Sequence, residues 1–133
     1  MKKFHIDVYD VWLHVAVNYP KNKFFKTYFG DKECTETLKS DVDHFDAKGF
    51  TWGLLSTKEH PRVIFINVNL DKAEGLLDLI DTMNHEVFHA VTGIAKFIDM
   101  PLDNSTEEPY AYLVGSLSRR VYQTIFEAKN EQI

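Results

Sequence analysis

The segment His85-Glu86-Val87-Phe88-His89 constrains this chain more than any other feature of its sequence. In a helix, residues four apart lie one turn above each other on the same face. The pattern therefore predicts two imidazoles side by side that can bind one metal ion, with Glu86 able to reach a water molecule on that metal. The alternative interpretation is a pair of histidines that only form hydrogen bonds, in the core or at the surface.

The residues around this motif predict one long helix over residues 73–98. No proline interrupts the segment, and apolar residues recur at the spacing of a helix with one face in the core. The predicted core stripe is Leu76, Ile80, Met83, Val87, Val91, Ile94 and Ile98. Both histidines fall beside this stripe, so we expect them next to the buried face of the helix.

A second helix is predicted after a break at residues 99–101. Capping residues and acids precede Pro109, as is typical of a helix start, and a second core stripe follows at Tyr110, Val114, Leu117, Val121 and Ile125. A catalytic zinc site needs a third protein ligand. The acids that open this helix, Glu107 and Glu108, are candidates for it, whereas Cys34 lies in a polar stretch far upstream and is a poor one.

The spacing of these residues resembles the gluzincin metallopeptidases, which carry His-Glu-x-x-His followed by a distant Glu; here eighteen residues separate His89 from Glu108. In those enzymes the two histidines and the distant Glu bind zinc, and the Glu inside the motif is the catalytic base. The resemblance implies one Zn²⁺ per chain, held by His85, His89 and Glu108, with Glu86 as base. Glu107 is the fallback for the third ligand, because sequence cannot fix helix phase between neighbours.

More narrowly, residues 85–90 and 107–115 resemble small zincin-like proteins encoded by bacteriophages. The similarity is strong in the C-terminal half and extends to the N-terminal half only as a general pattern of strands. It implies an α+β chain with a minimal zincin-like fold. We expect a small, mostly antiparallel sheet packed on the metal-binding helix and on a C-terminal helix that carries the third ligand.

Three further residues are candidates for supporting roles. Many gluzincins have an acidic or polar residue one turn after the ligand Glu; here Tyr112 stands there, either as a catalytic hydrogen-bond donor to an oxyanion or as a packing residue. Asp81, one turn before His85, is a candidate to orient that histidine, with a solvent-facing carboxylate as the alternative. Arg119, three turns after Glu108, could face the cleft and bind a substrate carboxylate.

These residues predict a zinc-dependent peptidase, in which Glu86 takes a proton from a zinc-bound water and passes it to the leaving amine. The main alternative is a zinc-stabilised binding module without turnover, such as a phage protein that docks on a host factor. A hydrolase of non-peptide amides is a further alternative. The presence of Glu86 favours an enzyme, because a structural zinc site needs no base.

The N-terminal half predicts the sheet. Residues 4–18 suggest one long strand or two short ones, and residues 50–56 and 62–70 suggest two more, joined by a hairpin. Residues 63–68 form the clearest strand, which either borders the cleft or lies in the core. Residues 23–29 are consistent with a short helix, and residues 31–46 with a loop or a frayed helix.

The length, cysteine content and charge of the chain limit the partners that we expect for it. The 133 residues have the length of a single domain, 1–133, and one cysteine suits a reducing cytoplasm, the host's if the chain is phage-encoded. No signal peptide or membrane span is expected. A net charge of −5 without a basic cluster opposes contacts with nucleic acid. We therefore expect a cytoplasmic protein with a peptide or protein substrate and no nucleic-acid or membrane partner; the oligomeric state stays open.

Overall fold

The chain pairs a four-stranded mixed sheet with three α-helices over the residues that the computed structural model describes, which are 1–30, 43–55, 57 and 59–131. The strands are β1 (Lys2–Ile6), β2 (Val11–Val17), β3 (Gly49–Leu55) and β4 (Arg62–Val68), and the helices are α1 (Lys21–Phe29), α2 (Leu76–Phe97) and α3 (Glu107–Glu131). The predicted α+β class is confirmed. Most of the predicted loop at 31–46, with Cys34, lies outside the described residues.

The strands are ordered β1-β2-β4-β3, so β3 and β1 lie at the two edges of the described sheet. The pairs β1–β2 and β3–β4 are antiparallel, whereas β2–β4 is parallel. The segment over residues 4–18 is two strands, because a 3-10 turn at Asp7–Tyr9 and a left-handed Asp10 (φ 49°) reverse the chain. The predicted hairpin over residues 50–70 is confirmed, since β3 and β4 pair antiparallel. Strand β4 is central in the sheet, and all of its residues except Arg62 are buried.

Alternating side chains give the sheet two apolar faces. One face packs against α2 and α3, and its strand residues include Leu13, Val15, Ile64 and Ile66. The other face packs against α1 through a largely aromatic cluster that contains Phe24, Phe45, Phe50 and Phe65. Because successive strand residues point to opposite faces, β3 presents Gly49, Thr51 and Gly53 to the same side as α2.

The two predicted core stripes are correct at their centres and wrong at single positions. In α2, Met83, Val87, Val91 and Ile94 are buried, but Leu76 is 51% exposed, since the first turn of the helix extends beyond the core. In α3, Val114 is exposed and its neighbour Leu113 is fully buried. The predicted stripe of α3 is wrong by one residue at this position alone, because the helical period of 3.6 does not fix phase near a terminus.

The predicted break between the helices is confirmed. Helix α2 ends at Phe97, and Asp99 adopts a left-handed conformation (φ 51°), a common way to end a helix. Within the described part of the chain, none of the helices is both long and apolar enough to cross a membrane.

Candidate metal centre

The two motif histidines form a pair on the exposed side of α2. Their Nε2 atoms lie 3.1 Å apart, and the ring centroids lie 4.7 Å apart with the planes at 71°. Two nitrogen ligands of one tetrahedral zinc, each about 2.0–2.1 Å from it, lie roughly 3.3 Å from each other. The separation of the His85 and His89 donor atoms therefore fits two ligands of a single zinc ion.

Glu86 lies beside the pair but is only 5% exposed. One turn of α2 crosses β3 at this point, and the Glu86 side chain lies against the strand. The Thr51 hydroxyl donates a hydrogen bond to Glu86 Oε2. A Cβ on Gly49 would lie 2.6 Å from Glu86 Cγ and 2.8 Å from Oε1, so only glycine leaves room for the carboxylate.

A cleft of about 360 Å³ brings these groups together. It runs between α2 and the edge strand β3, and its wall includes His85, Glu86 and His89 as well as Thr51 and Trp52. The sequence pattern thus places two imidazoles and one carboxylate in a single cavity that is open to solvent. The three side chains of the motif therefore line one cleft, and their metal-binding and catalytic roles stay predictions.

A second cavity of about 380 Å³ continues past His85 toward the start of α2. Lys48 donates to both carboxylate oxygens of Asp78 there, at 3.0 and 2.9 Å. The pKa of Asp78 is lowered by the hydrogen bond from the Glu74 amide and by Lys48, and the Asp78 bond raises the pKa of Lys48. Asp81 lines this cavity with His85 and is exposed, and its orienting role stays a prediction.

Helix α3 presents its candidate residues elsewhere. Tyr112 is 61% exposed and lines a cavity of about 680 Å³ with Arg119 and with Phe4 of β1. Arg119 is not among the residues that line the cleft of the histidines, and a substrate-binding role for it stays a prediction. Glu108 lies one helical turn before Tyr112 and so shares its face of α3. Neither Tyr112 nor Glu108 is among the residues that line the cleft of His85.

In the part of the chain that the structure describes, a third ligand is not assembled beside the two histidines. Among the described residues, no three His, Cys, Asp or Glu side chains lie close enough together to hold a metal ion. His85 and His89 fit two positions of a zinc site, and the choice between Glu108 and Glu107 for the third stays a prediction. Cys34 lies outside the described residues.

Neither a protein-family model, nor a curated protein, nor a solved structure matches this chain.

Three cleft residues had no predicted role. His44 lies in the 3-10 turn Asp43–Asp46 and lines the cleft, and Gly49 and Thr51 of β3 contact Glu86. The alternation Gly49-x-Thr51-x-Gly53 is a signal for this contact in the sequence, since two glycines on one strand face indicate a close approach by another element.

Proposed function

We propose that this chain is a zinc-dependent peptidase of the gluzincin type, in which His85 and His89 bind the metal and Glu86 is the general base. One observation carries the proposal: two imidazole nitrogens at the separation of zinc ligands share a cleft with a carboxylate that is held beside them. A structural zinc site would need no such carboxylate.

The surrounding fold supports this proposal. The metal-binding helix α2 packs on the sheet directly behind the edge strand β3, and the cleft opens along that edge. An exposed edge strand has backbone N–H and C=O groups that can pair with an extended peptide. A peptide bound along β3 would pass over the histidines, as expected for a minimal zincin-like fold.

In the proposed hydrolysis, the metal and the protein have different roles. Bound zinc would supply a Lewis acid and lower the pKa of a water molecule that it binds. Glu86 would accept the proton of the attacking water and deliver it to the amine of the departing product. The Thr51 hydroxyl donates a hydrogen bond to one oxygen of this carboxylate. The Glu86 side chain is therefore already oriented before substrate binds, and no entropy is lost in orienting it during the reaction.

The first experiment is elemental analysis of purified protein, comparing wild type with His89→Ala. We expect about one zinc per chain in the wild type and loss of the metal in the variant. The matched control is His5→Ala: His5 lies on β1 at the far edge of the sheet, pairs with Asp7 and Asp10, and should keep full zinc content when replaced.

The second experiment is cleavage of a quenched-fluorescent peptide library by zinc-loaded protein. Wild type should cleave at least one peptide class, whereas Glu86→Gln should bind zinc normally and cleave none. Zinc binding without any Glu86-dependent cleavage would instead favour the zinc-stabilised binding module. Absence of zinc after metal is added back would refute both functions.

A further inference from the structure

Thr51 makes two close approaches to Glu86 from the edge strand. Its hydroxyl donates to Glu86 Oε2 and also lies 3.3 Å from the Glu86 carbonyl oxygen. A hydroxyl has one proton to donate, and the Thr51 hydroxyl lies closer to Glu86 Oε2 than to the Glu86 carbonyl oxygen. The carboxylate is therefore the main acceptor, and the bond links a strand side chain to the helix side chain.

Gly49 completes the contact from the same face of β3. Because it lacks a Cβ, the Glu86 side chain can lie directly on the strand backbone, where an alanine Cβ would come within 2.9 Å of the carboxylate carbon. A Glu side chain that is 5% exposed has few alternative rotamers. Gly49 thus determines the position of the Glu86 side chain, and Thr51 determines the orientation of its carboxylate.

We infer that Thr51 is a positioning residue for Glu86, which it holds at the cleft through the hydroxyl. This inference rests on the proposed role of Glu86 as general base. The bond uses one acceptor site on Oε2 and leaves the other acceptor sites of the carboxylate for a proton. Because small displacements of reacting groups cost on the order of a hundredfold in rate, removing the hydroxyl should lower kcat by roughly tenfold to a hundredfold.

The test uses three replacements of Thr51. Thr51→Val keeps the shape of the side chain and its suitability for a strand but removes the hydroxyl, Thr51→Ala removes the hydroxyl without added bulk, and Thr51→Ser keeps it. Thr124→Val is the matched control, because its hydroxyl likewise donates to an oxygen on a helix, the Arg120 carbonyl at 2.8 Å, and Thr124 of α3 does not line the cleft.

Two readouts are needed. The first is the ¹³C resonance of the Glu86 carboxylate in Glu-labelled protein at fixed pH, assigned by its absence in Glu86→Gln. The second is the pair kcat and KM on a cleaved peptide. Thr51→Val and Thr51→Ala should shift the resonance and lower kcat at unchanged KM and zinc content. Thr51→Ser should restore both readouts, and Thr124→Val should change neither.

The readouts separate this inference from the proposed function. A Glu86 resonance that is unchanged in Thr51→Val and Thr51→Ala overturns the positioning role, whatever the activity. Loss of zinc or of cooperative unfolding in both variants also overturns it, because Thr51 would then be structural. If Thr51→Val and Thr51→Ala shift the Glu86 resonance as expected but the wild-type protein cleaves no peptide, the contact is supported and the peptidase function is refuted.

Discussion

Gly49 and Glu86 lie so close that a single methyl group on the glycine would collide with the carboxylate-bearing side chain, 2.6 Å from its Cγ. The contact joins the edge strand β3 to the helix that carries both histidines. It explains how a Glu can be buried beside an open cleft: the strand backbone fills the place that water would take, and Thr51 supplies a hydrogen bond.

Gly49→Ala should therefore destabilise the protein and displace Glu86. Overpacking of this kind costs about 1–3 kcal/mol, which denaturant unfolding would measure. The matched control is Gly115→Ala, since a Cβ on Gly115 of α3 meets nothing within 4 Å. That variant should gain about 0.5–1 kcal/mol, because alanine is the better helix former. Equal stabilities of the two variants would contradict the close contact.

Zinc should stabilise the folded chain through the histidine pair. A ligand that binds only the native state at 100 times its dissociation constant raises the free energy of unfolding by about 2.7 kcal/mol. Thermal unfolding with added zinc and then with a chelator should show a reversible rise in Tm for wild type. His85→Ala should show no such rise; a rise of the same size would place the metal elsewhere.

The third ligand is a prediction that zinc titration can decide. Under the gluzincin spacing, Glu108→Ala should lower zinc affinity strongly, and Glu107→Ala should leave it close to wild type. Both side chains are exposed in the first turn of α3, so neither replacement should unfold the protein. Loss of affinity in Glu107→Ala alone would move the ligand by one residue. A loss in His44→Ala alone would move it to the turn that lines the cleft.

The helices could be predicted because their signals are local. The period of apolar residues, the absence of proline and the break near Asp99 are all readable within a few turns, and α2 and α3 lie where those signals place them. The phase of a helix, meaning which residues face the core, is harder to predict. Leu113 rather than Val114 of the 25-residue helix α3 is buried. The sequence does not distinguish the two positions, because a shift of one residue hardly changes the apolar periodicity.

The surroundings of Glu86 could not be predicted because they depend on long-range pairing. Thr51 and Glu86 are 35 residues apart in sequence, and their contact requires that β3 be the edge strand beside α2. The sheet order β1-β2-β4-β3 has no local signature in the chain. For the same reason, sequence could not show that Tyr112 and Arg119 line a cavity with Phe4 of β1.

A buried histidine on the other face of the sheet should make the protein sensitive to acid. His14 is 1% exposed, and its Nδ1 lies 2.6 Å from the Tyr28 hydroxyl. Burial lowers the pKa of His14 to about 4, and electrostatic interactions with Lys3 and His60 act in the same direction. In the unfolded chain the pKa of a histidine returns to about 6.5.

Between these two values the unfolded state binds a proton that the folded state does not, so acid favours unfolding. The free energy of unfolding should fall as the pH drops from about 6.5 to about 4, by at most about 3 kcal/mol at roughly 1.4 kcal/mol per pKa unit. Denaturant unfolding at several pH values would measure the slope. His14→Phe keeps an aromatic ring in the core and should flatten the profile over this range; an unchanged slope in that variant would assign the acid sensitivity to other groups.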